Sequence, residues 1–90
     1  MKKLSLLKIG NLYEGWWLDN SREKMNIFWL ESGEQVSLSC FVLLEKKRSK
    51  KVTVFPNTKK NGSLCKILTS EGIVGWKFFV EGCYWFKELK

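Results

Sequence analysis

Eight of the sixteen lysines and arginines fall between Lys46 and Ser70, a stretch that contains no carboxylate: Lys46, Lys47, Arg48, Lys50, Lys51, Lys59, Lys60 and Lys66. The formal net charge is +7, and outside that stretch eight cations face nine carboxylates, leaving −1. A localised excess of this kind can neutralise phosphates, meet an acidic protein surface, or simply keep strand edges solvated. Lys46, Lys47, Arg48, Lys50, Lys51, Lys59 and Lys60 are the candidate anion-binding residues, because they flank two expected turns.

The second chemical resource is aromatic. Thirteen rings make up 14% of the chain, more than a closed sheet of ninety residues can readily enclose. Exposed rings stack on nucleic-acid bases or anchor protein interfaces. Trp16, Trp17, Trp76 and Trp85 are the candidate contact residues. Neighbours on a strand point to opposite faces, so one of Trp16 and Trp17 faces outward, and parity alone leaves open which one. The same argument divides Phe78 from Phe79, and Trp85 from Tyr84 and Phe86. Gly75, inside an expected strand, implies a bend or a close backbone approach.

Several chemistries lack their reagents. The chain has no histidine, so neither a Ser-His nor a Cys-His nucleophile can be assembled. The carboxylates are scattered and no glycine-rich phosphate loop occurs. Cys40, Cys65 and Cys83 are widely spaced, form no Cys-x-x-Cys and sit among apolar residues, as buried reduced thiols do. The expectation is a non-catalytic binding module without metal, cofactor or small-molecule substrate. Its partner would be nucleic acid or a protein, either in a host macromolecular complex or in a virion.

These residues require a scaffold of short strands. Val36, Leu38 and Cys40 alternate with serines and pass into Phe41-Val42-Leu43-Leu44, which predicts one long strand. Glu45-Lys46-Lys47-Arg48 then reads as a strand end and turn, and Lys51-Val52-Thr53-Val54-Phe55 as the return strand, ended by Pro56. Asn57–Gly62 reads as a loop, because Asn-Gly takes positive φ readily. Leu64–Thr69 and Ile73–Phe79 form a hairpin around Ser70-Glu71-Gly72, and a last strand covers Cys83–Lys87. Upstream, Leu12–Leu18 and Met25–Glu31 are expected strands around a polar loop at Asp19–Lys24; Met25, Phe28 and Trp29 at i, i+3, i+4 offer a helix over Ser21–Leu30 as the alternative. Residues 1–90 therefore form a single domain, an all-β antiparallel barrel of five or six strands.

Two stretches, Lys8-Ile9-Gly10-Asn11-Leu12 and Gly72-Ile73-Val74-Gly75-Trp76, resemble the opening strand and late Gly-x-x-Gly-Trp hairpin of small bacteriophage-type SH3-like barrel proteins. A weaker likeness links the hairpin to bacterial SH3 domains of cell-wall proteins. The Leu-Asn-Val-Arg-x-Gly-Pro-like element of that family has no counterpart here. The resemblance implies an SH3-like fold and a phage-encoded binding or regulatory role, without fixing the ligand. Met1–Lys8 imitates a signal peptide until Lys8, Asn11 and Glu14 interrupt it, and no apolar run reaches membrane-spanning length. The expected location is the cytoplasm, that of the host cell for a phage protein, or the virion.

Overall fold

The computed structural model describes residues 2–18, 24–54 and 57–89. Five residues of the expected polar loop (19–23), together with the expected strand terminus at Phe55 and Pro56, lie outside the described residues. Among the described residues nine strands follow a 3₁₀ turn at Leu4–Leu6: β1 (Leu12–Leu18), β2 (Lys24–Met25), β3 (Ile27–Trp29), β4 (Gln35–Ser37), β5 (Phe41–Lys46), β6 (Lys50–Val54), β7 (Thr58–Thr69), β8 (Val74–Val80) and β9 (Trp85–Glu88). The fold is all-β, and β2 and β3 occupy the described part of the stretch for which a helix was the alternative. Seven strands make one antiparallel sheet, whose central run is β9-β1-β5-β7-β8, while β3 and β4 form a separate ribbon. The sheet curls into a half-barrel. β8 and β9 do not pair as strands; instead Phe79 meets Phe86 and Tyr84 edge-on, with centroids 5.2 and 5.1 Å apart.

Period-two alternation fills the concave face. Tyr13, Phe41, Leu43, Cys65, Ile67, Phe79 and Phe86 are fully buried and form one cluster with Leu4, Leu7, Phe28, Leu30, Val36 and Leu38. Truncating one of its phenylalanines to alanine costs about 3–5 kcal/mol. The parity argument holds for Phe79 in and Phe78 out, and for Tyr84 and Phe86 against Trp85.

Three local expectations are corrected. The long strand from Val36 to Leu44 is broken at Leu38, which donates its N–H to the Asn26 carbonyl and accepts from the Gly15 N–H on β1. One residue thereby passes the chain from ribbon to sheet. Second, Lys46–Lys51 is not a hairpin turn. β5 and β6 run the same way along one edge of β7 (Phe41 opposite Thr69, Lys46 opposite Cys65, Lys50 opposite Gly62, Val54 opposite Thr58), while β8 holds the other edge. Between them Lys47, Arg48 and Ser49 stand opposite only Ser63 and Leu64, a bulge pinned by Lys47 N–H to the Leu64 carbonyl and by Ser49 Oγ to Ser63 Oγ at 2.7 Å. Third, Asn61-Gly62 is not a loop but lies within β7, and Gly62 is absent from the positive-φ glycines. Its missing side chain makes room for Phe78: a Cβ there would stand 2.3 Å from Phe78 Cζ.

Gly72, by contrast, has φ 81° in the β7–β8 turn, where Gly72 N–H returns to the Thr69 carbonyl. Gly75 is a close approach, as expected: a Cβ there would lie 2.6 Å from Leu30 Cδ1.

A basic aromatic groove on the outer face of the sheet

β7 turns Ser63, Cys65, Ile67 and Thr69 inward, so Leu64 and Lys66 face out, and register sets Phe78 beside Leu64 and Trp76 beside Lys66. The bulge between β5 and β6 delivers cations to this same face. The Lys47 ammonium lies 4.8 Å from the Trp76 ring centroid and that of Lys50 lies 5.7 Å from Phe78. Lys47, Arg48, Lys50, Val52, Leu64, Phe78 and Glu31 enclose an open groove of about 570 Å³. Its floor is apolar, one wall is cationic, and Trp76 is the next ring along the strand. Among the described residues the ion pairs are Lys24–Glu14 and Lys66–Glu45, so none of the groove cations is neutralised by a carboxylate.

The other expected anion-binding residues lie elsewhere. Lys46 donates to the Leu4 carbonyl at 2.8 Å, securing the N-terminal turn. Lys51 and Lys59 lie on the opposite face of the β6–β7 ribbon from Lys50 and Val52, because strand neighbours alternate. Lys60 reaches over Gly82 and shares a smaller depression of about 220 Å³ with Lys3, Glu81, Tyr84 and Trp85. The seven candidate anion-binding residues therefore resolve into a group of three at the groove, with the remainder dispersed.

Of the four candidate tryptophans, Trp76 adjoins the groove. Trp85 is half-buried and is the direct cross-strand partner of Trp16. Trp16 is only 7% exposed, with the Lys24 ammonium 4.0 Å above its ring, whereas Trp17 is 38% exposed. Trp17 shares the inward parity of Tyr13 and Gly15, but among the described residues its end of β1 pairs only with the two-residue β2, beyond the Trp16–Trp85 pair that ends the β1–β9 ladder.

Sequence reasoning missed Phe78 as the groove floor, although its spacing two residues from Trp76 was the available signal. Glu31 had no such signal. Trp29 was missed too: it is 61% exposed and with Trp17, Met25 and Ile27 rims an apolar hollow of about 340 Å³. Lys77 shares the inward face with Phe79, which alternation does imply. Its ammonium sits 5.0 to 5.7 Å from the rings of Phe28, Tyr84 and Phe79 and donates to the Trp29 carbonyl at 3.3 Å. Burial holds its pKa below the ordinary lysine value, partly opposed by Glu31. Burial also raises the Tyr84 phenol, with nearby Cys83 adding to the effect.

The three thiols are free; Cys65 is fully buried while Cys40 and Cys83 are half-buried. Burial pushes the Cys65 thiol up to about 11, with Lys46 pulling the other way. Among the described residues no cluster of histidine, cysteine and carboxylates could hold a metal, and no helix is long and apolar enough to cross a membrane. Comparison with protein-family models, curated proteins and solved structures finds no match for the chain.

Proposed function

We propose that this chain is a non-catalytic module that binds single-stranded nucleic acid along the outer face of β6, β7 and β8. The observation that carries the reading is the convergence of three cations that form no ion pair among the described residues, Lys47, Arg48 and Lys50, with Phe78 and Trp76 on one face. Single strands need both elements: ammonium and guanidinium groups for phosphates, and ring faces on which bases stack. Lysine and arginine contacts to phosphate position a strand without reading its sequence. The likeness of Lys8–Leu12 and Gly72–Trp76 to phage-type SH3-like modules supports a phage-encoded binding role.

Fluorescence anisotropy with labelled single-stranded oligomers tests the proposal. Three phosphate contacts predict a slope of log K against log salt of about −2, hence roughly a 20-fold loss of affinity between about 50 and 200 mM salt. Simultaneous reversal of Lys47, Arg48 and Lys50 to glutamate abolishes binding. Absence of binding by the native protein at about 50 mM salt refutes the proposal.

A second reading, docking to a protein partner, is favoured by one observation: Trp29 and Ile27 are 61% and 53% exposed beside the apolar hollow. On that reading Trp29→Ala breaks a salt-insensitive protein complex while leaving oligomer affinity unchanged. Equal loss of both would argue against two separate surfaces.

A further inference from the structure

Among the described residues the groove contains one carboxylate, that of Glu31, and it is held there by two independent ties. The Glu31 backbone N–H donates to the Trp76 carbonyl at 2.8 Å, and its Oε1 accepts from the Phe78 N–H at 3.3 Å. Leu30, the preceding residue, is almost fully buried against the space left by Gly75. Glu31 is thus fixed against the free edge of β8, at the two residues whose rings face the groove.

A fixed negative charge opposes phosphate. Phosphates are therefore directed to the Lys47, Arg48 and Lys50 side, and bases to the Phe78 and Glu31 side. A base stacked on Phe78 meets a group that only accepts hydrogen bonds. Oε2 has no hydrogen-bond partner among the described residues, and Oε1 keeps capacity beyond its one long bond. Guanine is the base that suits this group, because N1–H and N2–H stand side by side and match the two carboxylate oxygens. Adenine and cytosine offer one amino group beside a ring acceptor. Thymine and uracil flank their single N–H with two carbonyls, which the carboxylate repels.

Resting on the single-strand reading of the groove, we infer that Glu31 is a specificity-determining residue that selects guanine at the base position over Phe78. A bidentate contact of this kind discriminates on the order of tenfold. The competing account is purely structural: Glu31 covers the edge of β8 and protects it from pairing with another chain.

Glu31→Gln separates the two accounts. The amide oxygen still accepts from the Phe78 N–H, while the charge and the paired acceptors are lost. The probes are short thymidine-rich oligomers that differ only in one central base, titrated by anisotropy against native and variant protein, with thermal melting as the control for folding. The native protein is expected to prefer the guanine oligomer over the all-thymidine one by on the order of tenfold. In Glu31→Gln that ratio collapses to within about twofold, while affinity for the all-thymidine oligomer rises as charge repulsion disappears. Equal affinity of the native protein for all four oligomers overturns the guanine inference and leaves the groove proposal standing. So does a guanine preference that Glu31→Gln preserves. Failure to bind any oligomer overturns the groove reading, and this inference with it.

Discussion

Gly62→Ala tests the packing that builds the groove floor. Gly62 sits in β7 without a positive φ, so alanine meets no backbone strain, and in an ordinary strand it would add about 0.5–1 kcal/mol of stability through reduced chain entropy. Here the new Cβ would stand 2.3 and 2.6 Å from Phe78 Cζ and Cε2, and 3.2 Å from the Phe79 carbonyl oxygen. The ring must leave the glycine, and overpacking of this order costs about 1–3 kcal/mol. The expected balance is a net destabilisation of about 1–2 kcal/mol, or about 5–15 °C in Tm for a domain of this size. Thermal denaturation followed by circular dichroism reads it directly. The cause is isolated in a Phe78→Ala background, where no ring occupies the space and Gly62→Ala becomes neutral or slightly stabilising. Displacing Phe78 also removes the stacking surface beside Lys50, so oligomer affinity falls with stability. A Gly62→Ala protein as stable as the native one, or equal effects in both backgrounds, refutes the reasoning.

Gly75→Val drives a branched side chain against Leu30 and is expected to cost about 1–3 kcal/mol in urea denaturation; an unchanged midpoint would show that the close approach is absent. Cys65 makes stability depend on alkaline pH. Its folded pKa, about 11, lies above the ordinary thiol value of 9.0, so the folded state retains the proton longer and stability is lost as pH rises from about 9 to 11. Native protein should therefore lose on the order of 2 kcal/mol more over that window than Cys65→Ala, whose pH-independent cavity cost is read separately; parallel curves would contradict a buried thiol. Reversal of Lys51 and Lys59 to glutamate should weaken oligomer binding far less than reversal of Lys47, Arg48 and Lys50, because the former pair lies on the other face of the ribbon; equal effects in anisotropy would mean that charge acts without regard to face.

Local pattern determined much of this architecture. Alternation separated Phe78 from Phe79 and Trp85 from Tyr84 and Phe86, since the two-residue period of a strand is set by the backbone itself. Gly75 was legible as a close approach, and the charge asymmetry marked the segment that supplies the groove cations.

Tertiary structure decided the rest. Polar residues at Glu45–Arg48 suit a turn or a bulge equally well, and only the length of β7 carries the chain straight through. Glycine at position 62 is compatible with a turn that needs positive φ or with a space that a ring must fill; the partner ring comes from β8, sixteen residues on. Trp16 and Trp17 acquired their exposure from where the core ends along β1, a property of the assembled sheet that strand parity does not contain. Composition placed the positive charge in one segment, but pairing register divided that charge between two faces, and Glu31 entered the groove only because a separate ribbon docks on the free edge of β8. Which side chains exist and how they alternate is local, whereas which of them meet depends on contacts between residues distant in the chain.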